Sequence, residues 1–180
     1  MGVYDFNNPQ DLEHDFNNIY NRIKRIYEID SEFNLLPKLA DESNAFWATE
    51  ESSQEFNKHV PTFKSLHKDM YAFIETIARL KYNNYNYADF ESKYPDFKEF
   101  RHLNNMIKHP KAKEVEISFT QIIYIEQKQF DLMCNFKYPD NFKCLLYSAF
   151  ISRFLEILKD LDIITFNETL ANVSFIKFKN

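Results

Sequence analysis

One glycine, Gly2, serves the whole 180-residue chain, and it stands at the extreme end. Loops that cradle phosphate need glycine so that the backbone can approach the anion or take a positive φ. The sequence therefore holds no P-loop, no dinucleotide fingerprint and no G-x-S-x-G elbow, which argues against the common nucleotide-binding and hydrolase folds. Glycine-dependent hairpin turns must be scarce too, and helices joined by Asn, Asp and Pro are favoured.

Apolar spacing supports that expectation. After Asn8-Pro9, the residues Leu12, Phe16, Ile19, Tyr20, Ile23, Ile26 and Tyr27 recur at helical spacing, which predicts a helix to about Ile29. Leu35, Leu36 and Leu39 suggest a short helix before or around Pro37, and Glu50 to His59 a second one. Pro61-Thr62 is expected to open the central helix, carried by Phe63, Leu66, Met70, Phe73, Ile74, Ile77 and Leu80 to about Lys81. The stretch KYNNYNYADFESKYP, residues 81–95, reads as a tyrosine-stapled surface connection with a short helix. A base-stacking platform is the minority alternative there. Pro95-Asp96 opens a helix with the apolar stripe Phe97, Phe100, Leu103 and Ile107.

Beyond Lys113 the period changes to two. Val115, Ile117, Phe119, Ile123 and Ile125 alternate with polar neighbours, as do Phe130, Leu132, Cys134 and Phe136, the pattern of half-buried strands. The expected hairpin pairs 114–125 with 129–137 around Gln127-Lys128, and a continuous helix through 115–135 is the competing reading. Pro139-Asp140 is expected to start the last helix, with Phe142, Leu145, Leu146, Ala149, Phe150, Phe154 and Leu158 on one face. Val173, Phe175 and Phe178 suggest a short terminal strand. The fold class expected is mainly α with minor β: a helical bundle with a small antiparallel hairpin insertion around 114–137, in one domain spanning 1–180. With 19 Phe and 11 Tyr, its core is rich in large rings that bury much area each.

The formal net charge is −5 and the pI about 5.6. Both argue against global electrostatic coating by nucleic acid. Cys134 and Cys144 lack any paired spacing and read as reduced core thiols, which points to a cytoplasmic setting. The N-terminal stretch has no signal-peptide apolar core, and no run reaches the ~20 apolar residues of a membrane span. The sequons at Asn167 and Asn172 read as chance matches in an Asn-rich chain. Trp47 reads as a core anchor. No spacing of His, Cys, Asp or Glu supplies a metal site, and no cofactor is implied.

One segment gathers chemistry: FRHLNNMIKHP, residues 100–110. On a helix, at ~100° per residue, Asn105 falls at about 40° from Arg101 and Lys108 at about −20°, with His102 and His109 within about 100°. Two cations, two imidazoles and an amide then share one flank. Such a set has the parts for phosphoryl chemistry: cations for developing oxygen charge and a histidine titrating near neutral pH. The same residues are also what an ordinary helix presents to water, with its cations placed by the dipole near the C-terminal turn.

The run Asn105-Met106-Ile107-Lys108-His109 resembles the signature of HEPN-like prokaryotic helical proteins, over about residues 62–160. That resemblance implies bacterial or phage defence, a homodimer of helical bundles, and an R-x4-6-H ribonuclease site without a metal. In it His109 takes the acid–base role beside Arg101. Lys108 and His102 contact substrate, and Asn105 positions it. Seven residues separate Arg101 from His109, more than that motif allows. Together with the acidic pI, this spacing favours a non-catalytic interaction module with RNA or a protein as partner. The HEPN-type ribonuclease stands as the alternative, and a purely structural or regulatory subunit with no small-molecule site as a third reading, so enzyme and binding module both stay open.

Overall fold

The fold, taken from a computed structural model, describes residues 9–28, 34–35, 45–49, 54–82, 84–109, 117–124, 129–138, 141–166 and 173–175. Chain order is α1 (Pro9–Glu28), β1 (Asn34–Leu35), β2 (Ala45–Thr49), α2 (Gln54–Lys81), α3 (Tyr87–Lys93) and α4 (Phe97–Lys108). Then follow β3 (Ile117–Tyr124), β4 (Gln129–Tyr138), β5 (Asn141–Leu146), α5 (Tyr147–Asp160), β6 (Ile164–Phe166) and β7 (Val173–Phe175). Leu36, Leu39, the Glu50–Ser53 stretch, the Gln127-Lys128 turn, Asn167, Asn172, Phe178 and the surroundings of the Trp47 side chain lie outside the described residues.

The helices carry the core. Leu12, Phe16, Ile19 and Ile23 of α1 are buried with Leu66, Met70, Phe73 and Ile77 of α2 and Phe150, Phe154 and Leu158 of α5. Phe73 links the three helices through its ring contacts, 6.0 Å from Phe16 and 6.2 Å from Phe154. Full burial of one such side chain contributes ~1.5–3 kcal/mol, so this stripe outweighs any single polar contact in the molecule.

The hairpin is present: β3 pairs antiparallel with β4 from Ile117↔Phe136 to Tyr124↔Gln129. It sits inside a wider sheet, in which β2 adds antiparallel to the outer edge of β3. The other edge of β4 is shared by β1, parallel over Gln129 and Phe130, and by β5, antiparallel from Met133 to Tyr138. A two-stranded sheet of β6 and β7 closes the chain, and Phe175 of β7 reaches Phe16 of α1 at 5.6 Å.

Two helix boundaries, the segment at Leu35 and one cysteine differ from expectation. Leu35, expected in a short helix, lies in β1, where the edge of β4 offers it a backbone partner at Phe130. The central helix does not begin at Pro61 but runs from Gln54 with Pro61 inside it. Pro61 is solvent-facing, so its ring does not intrude on the core, and burial of Val60, Phe63 and Leu66 holds the helix through the missing N–H. The last helix starts at Tyr147, not at Asp140. Tyr138 pairs with Asn141 and Lys137 with Phe142, so Asn141–Leu146 joins the sheet as a strand where the helix was expected; Pro139 and Asp140 lie outside the described residues. Finally, Cys144 is exposed rather than in the core, whereas Cys134 is buried, and both are free thiols.

Candidate functional site

α4 begins where Pro95-Asp96 turns the chain out of α3. Asp96 makes no side-chain cap bond and has helical φ −72° and ψ −14°. Its carboxylate instead meets Arg153 of α5. The helix ends at His109, which leaves helical geometry at φ −125° and ψ 60° and donates its backbone N–H to the Asn105 carbonyl at 2.9 Å. Pro110 follows in sequence and disfavours helix at the residue before it. Phe97, Phe100, His102, Leu103, Asn104 and Met106 are buried. The exposed flank is narrow: Lys98, Asn105, Lys108 and His109.

Arg101 sits in the middle of that flank but does not face open water. Its Nε donates to Glu91 Oε1 at 2.5 Å and its Nη2 to Glu91 Oε2 at 3.2 Å. The guanidinium also lies 4.6 Å from the centre of the Tyr87 ring. Glu91 and Tyr87 both belong to α3, so a bidentate ion pair and a cation–π contact fasten α3 over the start of α4. The packing beneath is aromatic, with Phe90 against Phe97 at 4.9 Å and Tyr71 stacked on Phe97 at 5.4 Å. Other tyrosines of the connection also meet cations: Lys93 lies over Tyr94 and Tyr82, and Arg79 over Tyr85.

The two histidines of α4 part company. His109 is exposed at the C-terminal end, whereas His102 is only 4% exposed. Burial, aided by the neighbouring Arg101 cation, lowers the His102 pKa to about 4, so its ring is neutral at pH 7. A third histidine reaches α4 from the core side. His67 of α2 is fully buried, and its Nε2 donates to the Phe100 carbonyl at 2.9 Å. A carbonyl only accepts, so the proton is on Nε2. Nδ1 has no hydrogen-bond partner among the described residues. The ring stacks on Phe100 at 4.9 Å and meets the Phe150 ring edge-on at 5.1 Å. Burial pushes its pKa down to about 4, against a smaller opposing effect of the carbonyl bond. It was passed over in the sequence, although the signal was there: Phe63, His67, Met70 and Ile74 follow one helical stripe.

Of the five polar residues singled out on α4, Asn105, Lys108 and His109 thus share the exposed last turn. Arg101 is engaged by α3, and His102 is packed inside. Arg101 and His109 lie two turns apart on the one helix. The concavities lie elsewhere. One of about 750 Å³ surrounds the end of α5 at Tyr94, Arg153, Lys159, Asp160 and Asp162. One of about 250 Å³ lies between α4 and α5, and one of about 160 Å³ lies among the tyrosines before α3. Among the described residues no three His, Cys, Asp or Glu side chains are grouped to hold a metal ion, and no helix is long and apolar enough to cross a membrane.

These features define a mainly α protein with a minor β part, a shared aromatic core and a short helix clamped to its neighbour by an arginine. Comparison with protein-family models, curated proteins and solved structures finds no match.

Proposed function

We propose that this chain is a HEPN-like, non-catalytic interaction module whose acidic surface serves a protein partner, with a homodimer as the assembly the resemblance implies. The observation that carries the reading is the two-point pairing of Arg101 with Glu91. The cation a ribonuclease would aim at phosphate is already neutralised by a carboxylate of the same chain. The remaining polar groups, Asn105, Lys108 and His109, stand at a helix C-terminus, where the dipole presents its negative end. That sign opposes a phosphate. His102 and His67 are held neutral and buried, as residues of a core.

The test is incubation of the purified protein with mixed RNA, wild type beside His109→Ala, in buffer containing a chelator. The expected result is background-level breakdown in both. Cleavage by the wild type that His109→Ala abolishes would establish the alternative, a metal-independent ribonuclease acting through the exposed last turn of α4.

A further inference from the structure

Between the first turn of α4 and the first two turns of α5 lies a cleft of about 250 Å³. Its floor is apolar: Phe100, Leu145, Ala149 and Phe150. Its volume falls just below the ~300–1,000 Å³ of sites for drug-sized molecules, which suits one bulky side chain better than a cofactor. Its rim is charged: Asp96 and Glu99 on one wall and Arg153 on the other.

Arg153 also borders the 750 Å³ concavity at the end of α5, so the two form one strip along that helix. The charged residues lining the strip are Asp96, Glu99, Glu156, Asp160 and Asp162 against Arg153 and Lys159. Five carboxylates against two cations leave −3, in a chain whose net charge is −5. Arg153 divides its guanidinium between Asp96 and Glu156 while its side chain is 41% exposed. Exposed pairs of this kind contribute little to stability, so an incoming cation can take either carboxylate over at little loss.

We propose that this strip is a docking site for a basic peptide segment of a protein partner, which seats one large apolar side chain in the cleft between α4 and α5. Lysines or arginines to one side of that anchor meet Asp96 and Glu99, and those to the other meet Asp160 and Asp162. An apolar anchor ringed by charge complementarity is how small interfaces combine affinity with selectivity. The proposal rests on the interaction-module reading and adds where the partner sits and what chemistry it carries.

The test uses fluorescence anisotropy with a labelled heptapeptide of lysines around one central phenylalanine. Its controls carry alanine in place of the phenylalanine, or glutamates in place of the lysines. The expected result is binding of the lysine–phenylalanine peptide at least about tenfold tighter than either control. Ala149→Phe, which fills the cleft from an exposed position, should abolish the advantage over the alanine control. Asp160→Asn with Asp162→Asn should weaken binding and flatten its salt dependence without touching the cleft. Equal binding of the phenylalanine and alanine peptides would overturn the proposal, as would indifference to Ala149→Phe in a protein whose circular dichroism is unchanged. Self-association of the unliganded chain that Ala149→Phe abolishes would also overturn it, by giving the cleft to a second copy. A chain that leaves RNA intact yet fails to discriminate the peptides loses this site and keeps the interaction-module reading.

Discussion

His67 shows what a single residue contributes here. It stands in a stripe of apolar residues, makes one hydrogen bond to the Phe100 carbonyl and spends the rest of its surface against rings. Protonation would place a charge among Phe100, Phe150 and Tyr147. The folded pKa of about 4 lies below the 6.5 of an exposed histidine. Between those values the unfolded chain binds the proton and the folded chain does not, so folding stability falls as pH drops through that window and is fully present above it. The size is ~3 kcal/mol at most, with His102 acting in the same direction. Asp15, whose carboxyl is raised by burial, acts in the opposite direction, its contribution being lost as pH rises through its folded pKa. Urea-unfolding midpoints should drop steadily from pH 7 to pH 5 in the wild type and less in His67→Phe. Equal slopes in the two proteins would remove His67 from this role.

At the scale of elements, the near absence of glycine has a visible consequence at the end of α5. Ile163 N–H donates to the Leu158 carbonyl and Asp162 N–H to the Lys159 carbonyl, at 2.9 and 3.0 Å. This is the paired-bond ending that requires a left-handed residue, usually glycine. Here Asp162 takes it, at φ 62°, and buried Leu158 and Ile163 flank it. Left-handed geometry costs an L-residue ~1–2 kcal/mol, less for Asp and Asn. Asp162→Gly should therefore raise the melting temperature by ~2–4 °C, and Asp162→Val should lower it. The reverse order, by calorimetry, would contradict the cap.

Much of the element pattern was legible because one face decides it. The stripes of α1 and α4 and the alternation of β3 and β4 follow directly from apolar spacing, and the two strands pair from Ile117↔Phe136 to Tyr124↔Gln129. Pro61 misled because proline is a local signal, whereas the stripe from Val60 to Ile77 is held by tertiary burial. Phe142, Leu145 and Ala149 fit a helical period by coincidence of spacing, while the open edge of β4 offers Asn141–Leu146 a full ladder of backbone bonds. The candidate site was half legible. Helical angles put Arg101, Asn105 and Lys108 on one flank, but Glu91 reaches Arg101 only through the angle between α3 and α4. No spacing encodes that angle. The cleft was hidden for the same reason, since Leu145 joins Ala149 there as the end of a strand.

For the whole molecule, the decisive feature is that Arg101, in the middle of the polar flank of α4, is engaged by the protein's own structure, while Asn105, Lys108 and His109 stay exposed. The Arg101–Glu91 pair is sheltered, with side chains 20% and 11% exposed, and it holds the tyrosine-rich connection down on the shared core. Loss of that clamp should loosen the end of the molecule where α3 covers Phe97. A thermodynamic double-mutant cycle of Arg101→Ala and Glu91→Ala, read by urea unfolding at low salt, measures the clamp directly. A coupling of about 1 kcal/mol or more, above the level of an exposed pair, is the result expected if Arg101 serves the fold. Two near-neutral single variants with no coupling would contradict it and return the arginine to a ligand.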